Sequence, residues 1–480
     1  MASPASARWT EARSPNFIVY SEGSETSLRE SILLLEDYDR LLRTLTGTDA
    51  PPSPRPLPVY LLGSQEQMHD LFNVPRGAVG FYSARSAGIA AFAVRSKEHI
   101  QGLAGRDVLL HEYAHHFMNS HYPAYYPAWY SEGFAEYVMT AKFLPDRIEI
   151  GRVNISRALS LVQSPWISTE RIFATGKRGL AEIQMPQFYA ESWLIVHYLF
   201  AAPDRREALT RYLADLNRGV AEDAAFTRAF GMDHRTFDTA LKRYRDGGLA
   251  YGTMARSPGA APAVSLTLLP RSADGLLLRE QALVHTPGTD EQLAENNAAI
   301  RKLAARFPDD PYARRVLARI EIGLNGDRAT GIAMLDALLA TAPNDAMLLR
   351  YRGSADFFAA RQDKVNAAAH EAAAIPWLTR AMQADPTDFT SHYYLARSLA
   401  ASEDISDDSL GHFLTAHALA PDVTDIAFAT ARALLARKRY VEAADAIMPV
   451  ANNPHGGADN PAAALLAQIR TEMKAAPARQ

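Results

Sequence analysis

The stretch that decides the fold is residues 108–137, VLLHEYAHHFMNSHYPAYYPAWYSEGFAEY. It begins with a strongly helical pattern that contains His111-Glu112-Tyr113-Ala114-His115. Residues four apart on a helix project from the same face, so the imidazoles of His111 and His115 can bind one tetrahedral metal ion. Glu112 would then lie beside the ion without binding it. The motif is flanked by apolar residues, as expected for a helix in the floor of a cleft: Val108, Leu109, Leu110 and Phe117.

A second helix is predicted to begin near Ser131, and it carries two carboxylates one turn apart, Glu132 and Glu136. Glu132 can be the third metal ligand. Glu136 can orient a histidine ligand through the ring N–H that the metal leaves free. Three protein ligands leave a fourth position for water, which is typical of a catalytic rather than a structural zinc site.

Composition narrows the possible chemistry. Lys and Arg number 50 against 54 Asp and Glu, a formal net charge of -4, and no basic run indicates nucleic-acid binding. The chain has no Cys, which excludes disulfides, thiolate catalysis and Cys-ligated zinc, so a transition metal must be held by carboxylates and the 14 His.

No apolar run approaches the roughly 18 to 20 residues that cross a bilayer. The N-terminus also lacks the apolar stretch of a signal peptide. We therefore expect a soluble protein with no membrane-spanning segment. Residues 1–7, MASPASA, can be the remnant of a removed signal. The protein would then be periplasmic or exported, and otherwise cytoplasmic.

The first 250 residues mix strand and helix patterns. Short β-rich or apolar runs bounded by Pro, Gly and Ser predict strands at 16–21, 57–62 and 88–94. Residues 27–45 carry Leu and Ile on one helical face, and Ser27-x-x-Glu30 predicts a capping box at its start. From Asp107 onward the pattern is largely helical.

A stretch rich in Gly, Pro and Ala interrupts this periodicity and predicts an interdomain linker at 251–269. Beyond it, residues 270–476 contain a repeat marked by Pro308, Pro343, Pro386 and Pro421, which follow predicted helices at intervals of 35, 43 and 35 residues. This region resembles tetratricopeptide repeats in degenerate form, without their signature Trp. The resemblance implies an all-α helix-turn-helix solenoid that binds a peptide or protein partner, or that serves only as a scaffold.

The motif region resembles the gluzincin metallopeptidases, particularly bacterial peptidase-MA-like domains with a W-x-x-E-G-x-A-E-Y second helix, here residues 129–137. The resemblance covers about residues 10–245. It implies an α+β fold, with a small mixed sheet over the active-site helix followed by a helical subdomain. It also implies that Zn²⁺ is bound by His111, His115 and Glu132, with Glu112 as general base.

Aminopeptidases of the same clan use a tyrosine at the start of a later helix to stabilise the tetrahedral intermediate. The segment Phe188-Tyr189-Ala190-Glu191 looks like that helix start, which makes Tyr189 the candidate, although the clan's Lys-Gly is missing. Tyr125, Tyr126 and Tyr130 are alternative donors, and Tyr189 can instead be a core aromatic. The G-x-M-E-N segment that binds a substrate's free amine is absent, which favours an endopeptidase.

Other residues are also candidates for a place in the metal site or in substrate binding. His121 stands at the metzincin spacing for a third ligand, but Met118 occupies the place of that clan's turn-forming Gly, so Glu132 is preferred. His116 is predicted to be outside the ligand set, and His197 to be a core histidine. The strand at 88–94 can be an edge strand that pairs with a peptide substrate, or an ordinary internal strand.

These patterns predict a peptidase domain at 1–250, a linker at 251–269 and a repeat domain at 270–476. The predicted function is a zinc-dependent peptidase, with an endopeptidase favoured, whose repeats bind the protein substrate or a partner. The alternative is a repeat-based binding or assembly factor with a structural or inactive metal domain.

Overall fold

The computed structural model describes residues 8–95, 104–122, 124–175, 179–256, 262–400, 405–451 and 460–475. Within these ranges, no helix is both long and apolar enough to cross a bilayer. The described strands are β1 (Thr10–Arg13), β2 (Phe17–Ser21), β3 (Leu57–Leu62), β4 (Gly80–Arg85), β5 (Gly88–Val94), β6 (Lys142–Phe143), β7 (Arg147–Ile150), β8 (Gly252–Ala255) and β9 (Ser265–Leu268).

Ten helices belong to the N-terminal part of the described chain, and eleven follow in the C-terminal part. The first ten are α1 (Glu25–Thr46), α2 (Gln65–Phe72), α3 (Gly105–His121), α4 (Ala128–Val138), α5 (Ile155–Gln163), α6 (Thr169–Thr175), α7 (Met185–Phe200), α8 (Pro203–Asn217), α9 (Glu222–Phe230) and α10 (His234–Asp246). The others are α11 (Ala273–His285), α12 (Asp290–Ala304), α13 (Pro311–Glu321), α14 (Arg328–Thr341), α15 (Ala346–Gln362), α16 (Ala367–Ala384), α17 (Phe389–Leu399), α18 (Asp407–Leu419), α19 (Thr424–Ala436), α20 (Tyr440–Ala451) and α21 (Pro461–Ala475).

The main sheet is mixed and has the strand order β4-β5-β3-β2-β1-β9. Strands β2, β3 and β5 run parallel, while β1, β4 and β9 pair antiparallel with their neighbours. The three predicted strands therefore form the parallel centre of this sheet, and the prediction of a small mixed sheet in the N-terminal part is confirmed. A second sheet has the order β6-β7-β8.

The strand at 88–94 lies between β4 and β3, so of the two alternatives for it the internal strand is confirmed and the substrate-binding edge strand is excluded. Alternate residues of β5 are buried on opposite faces of the sheet, Ala91 in the core under α1 and α3, and Phe92 in the core under α2 and α11. Burial on both faces explains its unbroken apolar run. The edge is formed by β4, which reaches β5 through a two-residue turn at Ser86 and Ala87.

Helix α1 begins one turn earlier than its capping box predicted. Ser24 is the N-cap, with its hydroxyl 3.2 Å from the backbone N of Ser27, and the helix already includes Glu25. Ser24 takes the role because it lies in extended backbone directly before the first helical residue. The predicted apolar face is buried at Leu28, Ile32, Leu35 and Leu42, whereas Leu45 is exposed.

The segment predicted to be a linker contributes a strand to each sheet. Strand β8 pairs with β7, and β9 pairs with β1 in the register Thr10↔Leu268. The Gly, Pro and Ala composition predicted a linker without strands. It could not indicate these strands, because pairing with a distant strand depends on tertiary context. Residues 257–261, within the Gly/Pro/Ala stretch, lie outside the described residues.

The C-terminal part is an array of antiparallel helix pairs, as the repeat pattern predicts. The turn at Asn325 and Gly326 separates α13 from α14, and Asn325 adopts a positive φ of 63°. Asp310 and Asp345, two residues after repeat prolines, cap the next helices by accepting from the backbone N–H groups of Tyr312 and Leu348. The Pro-x-Asp sequence therefore marks the beginnings of α13 and α15.

The first helix of the array is also part of the N-terminal core. Ala273 and Leu277 of α11 pack with Phe92 of β5 and with Phe72 of α2 on one face of the main sheet. The other face is covered by α1, α3 and α4. The two halves of the chain therefore share a hydrophobic core beneath the main sheet.

Candidate metal site

Helix α3 carries the His-Glu-x-x-His motif, and it is fixed against the main sheet at its first residue. A Cβ on Gly105 would lie 2.0 Å from the carbonyl oxygen of Val94, so only glycine permits this close approach. Leu110, Ala114 and Phe117 are buried beneath the sheet. The motif therefore lies on a helix whose position is set by packing on β5.

Helix α4 supplies Glu132, and it lies very close to α7. A Cβ on Gly133 would lie 2.2 Å from the carbonyl oxygen of Ser192, so the Gly of the Glu-Gly pair allows the two helices to touch. Trp129 and Trp193 are fully buried in the same core. This contact brings Tyr189, near the start of α7, towards the carboxylate of Glu132.

Three side-chain atoms from α3 and α4 form a nearly equilateral triangle. The Nε2 atoms of His111 and His115 are 3.1 Å apart, and the Oε2 atom of Glu132 is 3.2 Å from the first and 3.3 Å from the second. All three residues are buried. The structure therefore brings together the three metal ligands predicted from the sequence.

The triangle has the size that a zinc ion requires. Ligand bonds of about 2.0–2.1 Å in a tetrahedral site give ligand–ligand distances of about 3.3–3.4 Å. Two imidazole nitrogens and a carboxylate oxygen are also a known donor set for catalytic zinc. On geometry and chemistry, His111, His115 and Glu132 can hold a zinc ion.

The outer nitrogens of both histidines face polar partners. Nδ1 of His111 lies 3.6 Å from Oε1 of Glu136, and Nδ1 of His115 is hydrogen-bonded to the hydroxyl of Ser131 at 3.1 Å. Such partners fix the orientation of the ring and leave Nε2 directed at the metal position. The sequence indicated Glu136 for this role, and it missed Ser131.

Burial alone would lower the pKa of His111, but the hydrogen bond to Glu132 and the neighbouring carboxylates outweigh it and raise the pKa. The negative charge of the cluster therefore favours a cation at this position, either a proton or a metal ion.

Arg157, which the sequence did not single out, holds Glu136 in place. Its Nε and Nη2 atoms donate to the two oxygens of Glu136 at 2.9 and 2.6 Å, and the amide of Asn154 donates at 3.4 Å. Asn154 is the N-cap of α5, so both contacts come from the start of one helix. A charge-assisted, two-point contact of this kind is strong and orients the carboxylate.

Tyr189 lies beside the triangle, next to the ring of His111. The ring of Tyr189 is 6.5 Å from that of His111 between centroids, and the Arg157 guanidinium lies 5.0 Å from its centre. Burial raises the pKa of Tyr189 far above its usual value, and nearby carboxylates including Glu112 and Glu132 add to the effect. The hydroxyl therefore stays protonated at neutral pH and can donate a hydrogen bond.

The competing histidines lie away from the triangle. Helix α3 continues straight through His121, whose Nε2 is 3.4 Å from Nη2 of Arg43. His197 bonds to the hydroxyl of Tyr244 and the carbonyl of Gly151, both at 2.8 Å, as a core histidine does. His121 is excluded as third ligand because the chain makes no turn after His115.

His116 and the alternative tyrosines make contacts with residues other than the three metal-ligand candidates. Nδ1 of His116 is 2.8 Å from the hydroxyl of Tyr82. Tyr126 and Tyr130 pack on each other, with ring centroids 5.7 Å apart, and the backbone N–H of Tyr125 donates to Asn217. Tyr189 is in ring contact with the metal-ligand candidate His111, with ring centroids 6.5 Å apart.

The repeats face the N-terminal domain across a large cavity of 1140 Å³. Its walls include residues of β2, β3 and β5 on one side and of α11, α13, α15 and α17 on the other. Arg55 spans the two halves through an ion pair of 2.8 Å with Asp385. Part of the surface predicted to hold a partner therefore faces the chain's own N-terminal domain.

Comparison with solved structures gives a distant likeness to a helical-repeat protein. No protein-family profile matches the chain, and no curated protein sequence matches it. The chain is similar to a crystal structure described as a thermophilic tetratricopeptide-repeat protein in Thermus thermophilus, at 20% identity and a TM-score of 0.34, covering 42% of this chain and 99% of that chain. The helical repeats are defined by the chain's own helix pairs, α13 to α20.

Proposed function

We propose that the protein is a zinc-dependent peptidase and that His111, His115 and Glu132 hold the metal. The observation that carries this proposal is the triangle of ligand atoms, with sides of 3.1, 3.2 and 3.3 Å. Residues that serve only to stabilise a core rarely place two imidazoles and a carboxylate at the spacing of one coordination sphere. The ring partners Ser131 and Glu136 add the surroundings expected of a metal site.

The chain's own side chains supply the remaining roles. Zinc, when bound, would act as a Lewis acid that polarises the substrate carbonyl and makes water more acidic. Glu112, next to His111 on α3, would take a proton from the attacking water and pass it to the leaving amine. Tyr189 would donate a hydrogen bond from its hydroxyl to the developing oxyanion, because its raised pKa keeps it protonated.

We favour an internal peptide bond as the site of cleavage, because the segment that binds a free amine in related aminopeptidases is absent from the sequence. The free edge of β4, rather than β5, would align an extended substrate through backbone hydrogen bonds. The repeats would restrict which protein segments reach this edge, since Asp422 contacts Tyr82 of β4 at 2.5 Å.

The first test is metal content by mass spectrometry of the wild type, Glu132→Ala and His121→Ala. We expect about one zinc per chain in the wild type and His121→Ala, and little in Glu132→Ala. His121→Ala is the matched control because it removes an imidazole from the same helix outside the triangle. Absence of zinc from reconstituted wild type would refute the proposal.

The second test is cleavage of unfolded casein by the zinc-loaded full chain, with and without a chelator. The peptidase proposal requires cleavage that stops with the chelator and returns with added zinc. Zinc binding without cleavage of casein or of a mixed peptide library would instead favour the alternative function, a repeat-based binding or assembly factor with an inactive metal domain.

A further inference from the structure

The helical repeats line a second cavity, of 420 Å³, which lies between α12, α13, α15 and α17. Its size falls within the range of small-molecule sites. Ala87, in the turn between β4 and β5, forms part of its wall. The apolar part of the lining comes from Leu283, Leu293, Ile320, Ile322, Leu324 and Phe358.

Three arginines line this cavity: Arg319, Arg350 and Arg361. No acidic side chain is among the described residues that line it. The acids that pair with these arginines lie outside the lining: Glu280 is 3.6 Å from Arg319, Asp388 is 3.4 Å from Arg350, and Glu371 is 3.2 Å from Arg361. The interior of the cavity therefore presents positive charge.

The acidic partners neutralise the positive charge of these arginines only in part. Glu280 pairs with Arg319 and also with Arg315, at 3.1 Å, so two guanidinium groups share one carboxylate. Burial lowers the pKa of the Arg361 guanidinium in spite of Glu371, and the neighbouring Arg397 adds to this effect. An anion within the cavity would complete the neutralisation.

Three buried polar atoms in the lining have no hydrogen-bond partner among the described residues: Thr390 Oγ1, Asn297 Oδ1 and Arg350 Nε. Thr390 is 2% exposed and Asn297 is 6% exposed. Leaving a buried polar group without a partner costs about 1–3 kcal/mol. Each of these three atoms is covered by neighbouring protein atoms, so the groups that can meet an anion in the cavity are the terminal nitrogens of the arginines.

We propose that this cavity binds a carboxylate attached to an aliphatic body. The carboxylate would accept from the terminal guanidinium nitrogens of Arg350 and Arg361, while the aliphatic part would lie against the leucines and isoleucines that line the cavity. Such a carboxylate can come from a free aliphatic acid or from the C-terminal residue of a peptide. The site is separate from the metal triangle, so its occupancy does not depend on the proposed peptidase activity.

The experiment is isothermal titration calorimetry of the full chain with octanoate, and with octanol as the uncharged probe. We expect octanoate to bind and octanol to bind at least about tenfold more weakly, because hydrogen bonds to a charged group are the stronger ones. A peptide ending in leucine, compared with its C-terminal amide, shows whether a peptide terminus is also accepted. Equal binding of octanoate and octanol, or no octanoate binding, would overturn the proposal.

Two variants locate the site. Arg361→Gln should weaken octanoate binding about tenfold or more, while Arg352→Gln, on the same helix but paired with Asp336 and Asp356 outside the cavity, should not. Arg350→Gln should also weaken octanoate binding, because it removes the second guanidinium group of the proposed site. Unchanged octanoate binding in both Arg361→Gln and Arg350→Gln would place the ligand elsewhere.

Discussion

The hydroxyl of Tyr82, on the edge strand β4, donates a hydrogen bond of 2.5 Å to the carboxylate of Asp422 in the repeats, 340 residues away. Burial and the Asp422 carboxylate raise the pKa of Tyr82 well above its usual value, so the hydroxyl is the donor. Its oxygen accepts from Nδ1 of His116, which adjoins the metal-ligand candidate His115. The repeats are therefore tied by two hydrogen bonds to the helix of the candidate site.

The contact between Tyr82 and Asp422 should contribute to the stability of the whole chain. We expect Tyr82→Phe to lower the free energy of unfolding by about 1.5–3 kcal/mol, since it removes a hydrogen bond to a buried charged group. Urea unfolding measures this. Ser86→Ala is the control, because it removes an exposed bond from the same hairpin to Asp425. A loss in Tyr82→Phe no larger than in Ser86→Ala would contradict the expectation.

Glu112→Gln should keep the metal and lose the activity. The amide cannot take a proton from water, so we expect turnover to fall by about 10²- to 10⁴-fold at unchanged zinc content. Zinc content and cleavage rate are measured on the same preparation. Glu66→Gln, an exposed change on α2, serves as the control. Full activity in Glu112→Gln would mean that another group acts as the base.

Arg157 should act on the metal through Glu136. We expect Arg157→Met to weaken zinc binding by about 10- to 100-fold, because Glu136 is then no longer held beside His111. Competition with a coloured chelator measures the affinity without any activity assay. Arg211→Met, which loses only a contact with the carbonyl of Ala229, should bind zinc like the wild type. If Arg157→Met also binds zinc normally, Arg157 has no positioning role.

Glu191 predicts a pH dependence of stability. It is fully buried, and burial raises its pKa to about 8, against backbone and side-chain hydrogen bonds from Ile167 and Gln187 that lower it. In the unfolded chain the carboxyl ionises near pH 4.5. Between these values the folded state binds more protons, so stability falls as pH rises from about 4.5 to 8, by at most roughly 5 kcal/mol from this group.

Glu191→Gln removes this ionisation and keeps the shape of the side chain. Subtracting its unfolding free energies from those of the wild type, pH by pH, isolates the contribution of Glu191. Relative to the wild type, the variant should gain stability as the pH rises from about 4.5 to 8. A difference that is constant with pH would show that the carboxyl ionises alike in the folded and unfolded chains.

Local spacing was sufficient to predict much of the site. The four-residue separation of His111 and His115 defines one helix face, whatever the rest of the chain does. Glu132 could be placed on the next helix because its motif lies close in sequence. Arg157 could not, because it reaches Glu136 only through the way α5 packs beside α4, and no local pattern encodes that contact.

In the fold, too, the elements set by local sequence could be predicted and those set by distant contacts could not. The three central strands and the helix pairs follow from apolar runs and from prolines at repeat intervals. The edge strand β4 was missed because its residues are mostly half-buried and carry no clear alternation. The strands β8 and β9 were missed because their partners lie far away in sequence, at residues 147–150 and 10–13.

The pairing of β9 with β1 has a consequence for synthesis on the ribosome. The first strand of the main sheet stays without its outer neighbour until residues 265–268 emerge, roughly ten seconds or more after β5 at ordinary rates of translation. During that interval β1 is an open edge to which other chains can add. The N-terminal half is thus a nascent intermediate in need of protection, and a gene shortened to its first 250 codons would leave it in that state permanently.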